Sequence, residues 1–303
     1  MRCAAFSELP AKERRRFINA LSAQGISPAF ADVGEMEGYM LGPAFETGST
    51  YLTFWEAEEP LCGAGIVVRE IAVKGEAYLA MLHVFAPDAE AAVSMLLASA
   101  YKTIRRFGGH DQTVVGIGAQ AEDERVLAAL AGAGCHSSYC IIDMVRPQQE
   151  VLPTLGGLRF RELREDNLGD YLAVHNAAFL GSPNGAQMTL EEVEEMRLET
   201  RSSRYLQVGY AGGTPAAVLE VDVREKIGQI QAIGVAPALQ RRGLGRETLA
   251  RALQVLEEEG VTEAHLQVVD ANTPAVQLYR ACGFQVDRVL STWYVGPPIS
   301  RFE

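Results

Sequence analysis

The chain has 303 residues, 48% of them hydrophobic, so it is long enough to bury the cores of two domains. A formal net charge of −12 at pH 7 argues against a nucleic-acid backbone or an anionic membrane as the partner. Five cysteines without metal-type spacing, no apolar run of membrane length and no signal-peptide core predict a soluble, cytoplasmic protein with reduced thiols and no metal.

The first half of the chain alternates between helical and strand patterns. Apolar residues at helical spacing predict three helices, over residues 10–24, 91–107 and 122–131. Runs of apolar and β-branched residues predict strands over residues 51–55, 63–73, 77–85, 113–117 and 138–145. Pro147, Pro153 and the Gly156-Gly157 pair predict a linker over residues 147–157, which separates a domain over 1–146 from one over 158–303.

The second half shows the same alternation. Strands are predicted over residues 158–162, 205–210, 215–223, 228–235, 265–269 and 284–295. Helices are predicted over 166–179, from Thr189 to Thr200, over 242–259 and from Pro274 to Gly283. Thr189 with Glu192 forms a predicted capping box.

The most informative stretch is residues 233–246, where a strand passes through a proline-marked loop into a helix. Gly243 and Gly245 stand at the start of that helix, which suggests that its backbone approaches a ligand closely. The first amides of a helix lack internal partners and carry partial positive charge. Arg241, Arg242 and Arg246 add positive charge on an otherwise acidic chain, so the stretch predicts a site for a phosphorylated ligand.

Two motifs carry a resemblance to a known family. Val235-x-Pro237 followed by Gln240-Arg-Arg-Gly-Leu-Gly245 resembles the acetyl-CoA pyrophosphate loop of the GNAT superfamily of N-acetyltransferases. Residues 270–284, which include Asn272 and Tyr279, resemble the second half of that family's signature. The resemblance implies an α/β (α+β) fold of two tandem GNAT-type domains, each a mixed, mostly antiparallel twisted sheet flanked by helices.

A narrower resemblance covers part of the second half. His175-Asn-Ala-Ala-Phe179 with Met188-Thr-Leu190 is similar to the active half of the mycothiol synthase-like acetyltransferases, which are tandem proteins of similar length. The loop over residues 181–185 departs from the histidine- and glutamate-bearing loop of those enzymes. Their particular sugar-conjugate acceptor is therefore one hypothesis among several.

The two halves also resemble each other. Residues 91–108 match residues 243–260 without a gap, and residues 127–135 match 276–284. In the first copy the glycine positions hold Ala91 and Val93, Asp88 and Glu90 bring negative charge, and Leu130 replaces the tyrosine. The first half is therefore predicted to be a degenerate GNAT-like domain that does not bind acetyl-CoA.

The resemblance implies roles for particular residues of the second half. Tyr279 corresponds to the general acid that protonates the leaving thiolate, and the Val235 N–H is the expected donor to the thioester carbonyl. The implied acetyl-CoA-binding set is Ile233, Gly234, Val235, Gln240, Arg241, Arg242, Gly243, Leu244, Gly245, Arg246, Asn272 and Tyr279.

The general base is less well indicated. Many relatives carry a glutamate near the position of Gln229, whose amide cannot accept a proton at neutral pH. Glu220 and Asp222 are substitutes with the same strand parity, so they should share a face of the sheet. Glu220 is the favoured choice, and His175 is a third candidate.

The expected function is acetyl-CoA-dependent N-acetyl transfer to a primary amine of a small molecule. Two enzymatic alternatives are the use of another acyl-CoA and transfer to a protein or peptide amine. A non-enzymatic alternative is a CoA-binding regulatory protein without turnover. The sequence indicates neither the acceptor nor the oligomeric state.

Overall fold

A computed structural model describes residues 1–24, 33–147, 152–153, 156–183, 185, 187–198, 203–224 and 226–302. The chain divides into two compact units. Unit 1 comprises Met1–Cys140 together with Leu290–Glu303, and unit 2 comprises Ile141–Val289.

Twelve strands and nine α-helices lie within the described residues. The strands are β1 (Arg2–Ala5), β2 (Tyr51–Glu56), β3 (Glu59–Val67), β4 (Glu76–Val84), β5 (Val114–Gln120), β6 (His136–Pro147), β7 (Arg159–Glu162), β8 (Arg204–Ala211), β9 (Thr214–Arg224), β10 (Ile227–Val235), β11 (Glu263–Val269) and β12 (Gln285–Val295). The helices are α1 (Ala11–Ala23), α2 (Val33–Met40), α3 (Ile71–Lys74), α4 (Ala89–Arg106), α5 (Glu124–Gly132), α6 (Leu168–Phe179), α7 (Leu190–Leu198), α8 (Leu244–Glu258) and α9 (Thr273–Ala281).

Unit 1 is built on a sheet with the order β1-β2-β3-β4-β5-β12. The β4–β5 pair is parallel and its other pairs are antiparallel. One core cluster joins α4 and α5 to this sheet, and the predicted inner residues of α4 are fully buried in it: Leu96, Leu97, Ala100 and Ile104. A second cluster, rich in aromatic rings, joins α1 and α2 to the strands.

Unit 2 has a sheet of the same kind, with the order β6-β11-β10-β9-β8-β7 and one parallel pair, β10–β11. Helix α8 buries Leu249, Leu253 and Leu256 as predicted, each by 99% or more. Full burial of such a side chain contributes roughly 1.5–3 kcal/mol, so this stripe holds the helix on the sheet. Helices α6 and α7 share a separate core cluster with Val208 and Val218.

The compact units differ from the predicted domain boundaries. The strand predicted to close the first domain has its residues 141–147 paired with β11 of unit 2. The last strand was predicted to complete the second domain, but its residues 291–295 pair with β5 of unit 1. Backbone hydrogen bonds do not depend on side-chain identity, so an apolar alternation predicts a strand without specifying its neighbour. The predicted linker lies largely outside the described residues.

Other differences are local. Strand β1 and helix α2 were not predicted, and the strand expected over residues 63–73 ends at Val67 and is followed by the short helix α3. The predicted capping box is present, because Glu192 N–H donates to Thr189 Oγ1 and Thr189 N–H donates to Glu192 Oε2. Within the described residues, no helix has the length and apolarity needed to cross a membrane.

Candidate functional site

A gap opens between the parallel strands of unit 2. Strands β10 and β11 pair only from Ile227 with Glu263 to Ile230 with Leu266. A register shift between Ile230 and Ala232 then bends β10, and β10 continues to Val235 without pairing to β11. The last part of β10 therefore has a backbone edge that no neighbouring strand covers.

The direction of the backbone groups along this edge follows from the pairing with β9. The N–H of Ala236 donates to the carbonyl of Ala216 at 2.9 Å, so the groups at 236 and 234 point towards β9. Those of Ile233 and Val235 point the opposite way, into the gap. Gly234 serves packing: a Cβ there would lie 3.0 Å from the Cβ of Ala178 on α6.

The N-terminus of α8 lies directly beyond this edge. A 3-10 turn over Pro237–Leu239 leads into a loop in which Arg241 and Gly243 both adopt the left-handed conformation, with φ of 63° and 83°. Gly243 is the N-cap and supplies no side-chain cap. A Cβ on Gly245 would meet only Leu278 Cδ2, at 3.4 Å. The first amides of α8 are therefore uncapped and sterically accessible.

The charge around this helix start is positive at the surface. Arg241, Arg242 and Arg246 are exposed. The Gln240 side chain donates to the carbonyl of Val235 at 3.0 Å, which ties the loop to β10, and Leu244 is buried against the sheet. The loop thus brings uncapped amides and exposed guanidinium groups together, an arrangement that favours a negatively charged group.

Glu247 is a structural residue that the sequence patterns did not single out. It lies in the first turn of α8 and is buried, and its carboxylate accepts from the N–H groups of Gly157 and Leu158 at 3.1 and 2.8 Å. It thereby fixes the segment before β7 to the helix. A glutamate in the first turn of a helix is common for electrostatic reasons, so its position alone gave no signal.

Helix α9 carries the other two predicted ligand-contacting residues. Asn272 is its N-cap, and its Oδ1 accepts from the Ala275 N–H at 3.3 Å. Tyr279 is half-buried beside Phe284, and its hydroxyl has no hydrogen-bond partner among the described residues. Burial raises the pKa of Tyr279 to about 12, so the phenol keeps its proton at neutral pH.

The candidate carboxylates lie on the face of the sheet that α6 covers. Asp222 is directly opposite Gln229, and Glu220 is opposite Ala232. Glu220 Oε1 accepts from Arg204 at Nε and Nη2, at 3.1 and 2.7 Å. Because this oxygen is engaged in the ion pair, the role of Glu220 as a base stays a prediction.

Asp222 is 93% buried, since its relative exposure is 7%. Its Oδ1 has no hydrogen-bond partner within the described residues, and its Oδ2 is 3.4 Å from Arg224 Nε. The negative charge of this carboxylate is therefore only weakly compensated by hydrogen-bond donors. Asp222 shares the α6 face of the sheet with Glu220, as the strand parity predicted.

His175 lies on α6 between two aromatic rings. The Tyr171 ring is nearly parallel to it, with centroids 6.0 Å apart, and the Phe179 ring is 4.7 Å away. Phe179 in turn borders Gly234, whose Cβ position lies 3.2 Å from the Phe179 ring. His175 thus lies near the part of β10 that borders the gap. Burial lowers the pKa of His175, so its imidazole is neutral at pH 7.

Part of the sequence is similar to known proteins. Residues 168–284 match the acetyltransferase (GNAT) family. A mycothiol acetyltransferase of Beutenbergia cavernae is 34% identical over 160 residues, which are 52% of this chain and 52% of that protein. One from Propionibacterium freudenreichii subsp. shermanii is 30% identical over 151 residues, 46% of each chain. The chain thus spans about half the length of the curated relatives it matches.

Two solved structures resemble nearly the whole chain. A GCN5-related N-acetyltransferase from Sphaerobacter thermophilus has a TM-score of 0.68 at 18% identity, covering 98% of this chain and 95% of that one. A tandem GNAT protein from the clavulanic acid biosynthesis pathway has a TM-score of 0.66 at 13% identity, covering 97% of both chains. Residues 168–284 are thus similar to the acetyltransferase (GNAT) family, and the chain has the fold of tandem GNAT proteins.

Proposed function

We propose that this protein is an N-acetyltransferase that transfers an acetyl group from acetyl-CoA to a primary amine of a small molecule. The observation that carries the proposal is the uncapped start of α8, with Arg241 and Gly243 left-handed, next to the open edge of β10. One surface accepts a pyrophosphate, and the other accepts an extended amide-bearing arm. Coenzyme A contains both groups, so the residues present fit this ligand.

The binding roles follow from this geometry. The amides of Gly243, Leu244, Gly245 and Arg246 receive the phosphate oxygens, and the exposed arginines balance their charge. Ile233 pairs with the arm through backbone groups that point into the gap, and Val235 contributes its N–H, because its carbonyl already accepts from Gln240. Asn272 has its oxygen occupied by the α9 cap, so its amide nitrogen is the group that remains for the ligand.

The chemical roles concern a thioester and an amine. Acetyl-CoA supplies the acetyl group in an activated form. The Val235 N–H stabilises negative charge that develops on the carbonyl oxygen, since a preset donor is most effective there. Tyr279, whose phenol is protonated at neutral pH, gives its proton to the departing sulfur. The first half contributes no cofactor site in this proposal.

The test is a titration with acetyl-CoA followed by a thiol-release assay against a panel of small amines. We expect saturable binding and amine-dependent release of coenzyme A. Binding without release on small amines or on peptide amines would instead favour a CoA-binding regulator. Release only with peptides would favour the protein-directed alternative, and the absence of binding would reject the proposal.

A further inference from the structure

The orientation of His175 is fixed by its neighbour in the chain. The Asn176 side chain is held by a pair of hydrogen bonds to Met188: its Nδ2 donates to the Met188 carbonyl at 2.9 Å, and its Oδ1 accepts from the Met188 N–H at 2.8 Å. Because a backbone N–H can only donate, the atom facing it must be the amide oxygen. The amide of Asn176 therefore has one defined orientation.

The tautomer of His175 follows from that orientation. Its Nδ1 lies 3.3 Å from Asn176 Oδ1, which can only accept. Nδ1 must then carry the hydrogen, and in the neutral imidazole Nε2 keeps its lone pair. Nε2 has no hydrogen-bond partner among the described residues. A nitrogen base that a second residue orients in this way is the arrangement required for proton abstraction.

The location of the ring agrees with this role. Ala178 and Phe179, within one turn of His175 on α6, pack against Gly234, between the two β10 residues whose backbone groups face the gap. The imidazole and these two residues therefore lie on the same stretch of α6, which borders the gap-facing part of β10. Glu220, by contrast, has an oxygen engaged by Arg204, and the cross-strand partner of Asp222 is Gln229, further back along β10.

We propose that His175 is the general base of the acetyl transfer and that Asn176 is its positioning residue. The proposal rests on the proposed function. Nε2 removes one proton from the acceptor ammonium and later releases it to solvent. The neutral amine forms the new C–N bond as the C–S bond breaks. The nitrogen then loses a second proton to solvent, Tyr279 protonates the thiolate, and solvent restores the Tyr279 proton. The sum is one amide, one thiol and one proton.

The ionisable groups near His175 lie on its own helix and on neighbouring elements. Tyr171 is the neighbour on α6, and the hydrogen bond to Asn176 and the charge of Glu192 on α7 both raise the His175 pKa. Gly234 of β10, which packs against Ala178 and Phe179, carries no charge. Glu220 on β9 and Arg204 on β8 influence Tyr171 at the other end of the ring stack. Since desolvation is the largest influence, the basic form of His175 prevails at neutral pH.

The test compares the rate profiles of variants between pH 5 and pH 10. His175→Gln should lower kcat at pH 7 by about 100-fold, within the usual range for a general base, and leave acetyl-CoA affinity unchanged. The deficit should shrink as the pH rises, because a growing fraction of the amine is then neutral without a base. His136→Gln, at an exposed site in unit 1, serves as the matched control and should not differ from wild type.

A second variant gives a signature that a structural role would not produce. Asn176→Asp keeps an acceptor beside Nδ1 but adds a negative charge, which favours the imidazolium. The acidic limb of the kcat profile should therefore move to higher pH. If both profiles overlay the wild type while Glu220→Gln removes the acidic limb, Glu220 is the base and the inference is wrong. A wild-type enzyme without amine-dependent thiol release would instead reject the proposed function itself.

Discussion

The two units begin their long helices in different ways. In unit 1, Asp88 caps α4 through a hydrogen bond of 3.0 Å from the Ala91 N–H to its carboxylate. In unit 2, the residue that corresponds to Ala91 is Gly243, which is left-handed and offers no side chain. The first turn of α4 in unit 1 thus corresponds to part of the loop that precedes α8 in unit 2. An internal carboxylate occupies one of the first amides in unit 1, whereas the corresponding helix start in unit 2 has no side-chain cap.

The second helix of each copy shows where the copies agree. Asp123 caps α5 through Val126, and Asn272 caps α9 through Ala275, at matching repeat positions. Capping by Asn272 is therefore part of the shared architecture and does not by itself indicate a ligand. The contrast at the first helix is specific, because there the cap is absent in one copy alone.

The parallel strands provide a third point of comparison. Strands β4 and β5 pair over four residues, from Glu76 with Val114 to Leu79 with Ile117, as many as β10 and β11. Beyond that point β4 contains His83, which is 5% exposed and whose Nε2 has no hydrogen-bond partner among the described residues. The same strand geometry persists in unit 1, but its continuation is buried in the core.

The largest expected effect comes from giving α8 of unit 2 an acidic N-cap residue like the one that caps α4 of unit 1. Gly243→Asp should weaken acetyl-CoA binding by at least about 100-fold, or roughly 2.7 kcal/mol, measured by calorimetry. The carboxylate would occupy an amide of α8 and repel the phosphates.

Two variants separate these causes. Gly243→Asn adds a side chain that tolerates the left-handed conformation but carries no charge, so it should bind better than the aspartate. Asp88→Gly removes the cap of α4. It should leave coenzyme affinity unchanged, because Ala91 and the negatively charged Glu90 are still present at the start of that helix. An Asp88→Gly variant that gains a second coenzyme site would show that the cap alone had closed unit 1.

The buried histidine of unit 1 makes a prediction about acid stability. Burial lowers the pKa of His83 to about 3, below the value of about 6.5 expected in the unfolded chain. The unfolded state therefore binds more protons in that window, and stability is lost as the pH falls through it. His83→Leu should remove about 2 kcal/mol of the loss between pH 6.5 and 5.

This change is measurable by urea unfolding at each pH. Both tryptophans, Trp55 and Trp293, belong to unit 1, so their fluorescence reports that unit. The exposed His136→Leu is the matched control and should leave the pH dependence intact. An identical slope in wild type and His83→Leu would mean that His83 is hydrated in the folded protein.

The smallest expected effect concerns Tyr279, whose counterpart in unit 1 is Leu130. Tyr279→Phe should lower kcat at least about tenfold, because the thiolate then leaves without its proton donor, and acetyl-CoA affinity should change little. Tyr139→Phe, in unit 1, is the control phenol. A Tyr279→Phe enzyme with wild-type kcat would assign the tyrosine a packing role beside Phe284.

The sequence predicted the parts of this protein that depend on local rules. The inner stripes of α4 and α8, the Thr189–Glu192 capping box and the loop before α8 all follow from residue spacing and from glycine. It did not predict which sheet receives the last strand, because the pairing partners of β6 and β12 are chosen by backbone bonds and tertiary packing.

The choice of base shows a different limit. Glu220 was favoured because it is a carboxylate on the correct strand, but its ion pair with Arg204 depends on strand β8, whose register no local pattern specifies. The tautomer of His175 likewise depends on Met188, twelve residues beyond Asn176. Contacts of this range become visible only in the folded chain.

The most direct test of the central claim is the stoichiometry of coenzyme A binding to the intact protein, measured by isothermal titration calorimetry. One molecule should bind per chain, Gly243→Asp should weaken binding by at least about 100-fold, and Asp88→Gly should leave it unchanged. Two molecules per chain, no binding, or undiminished binding in Gly243→Asp would contradict the account.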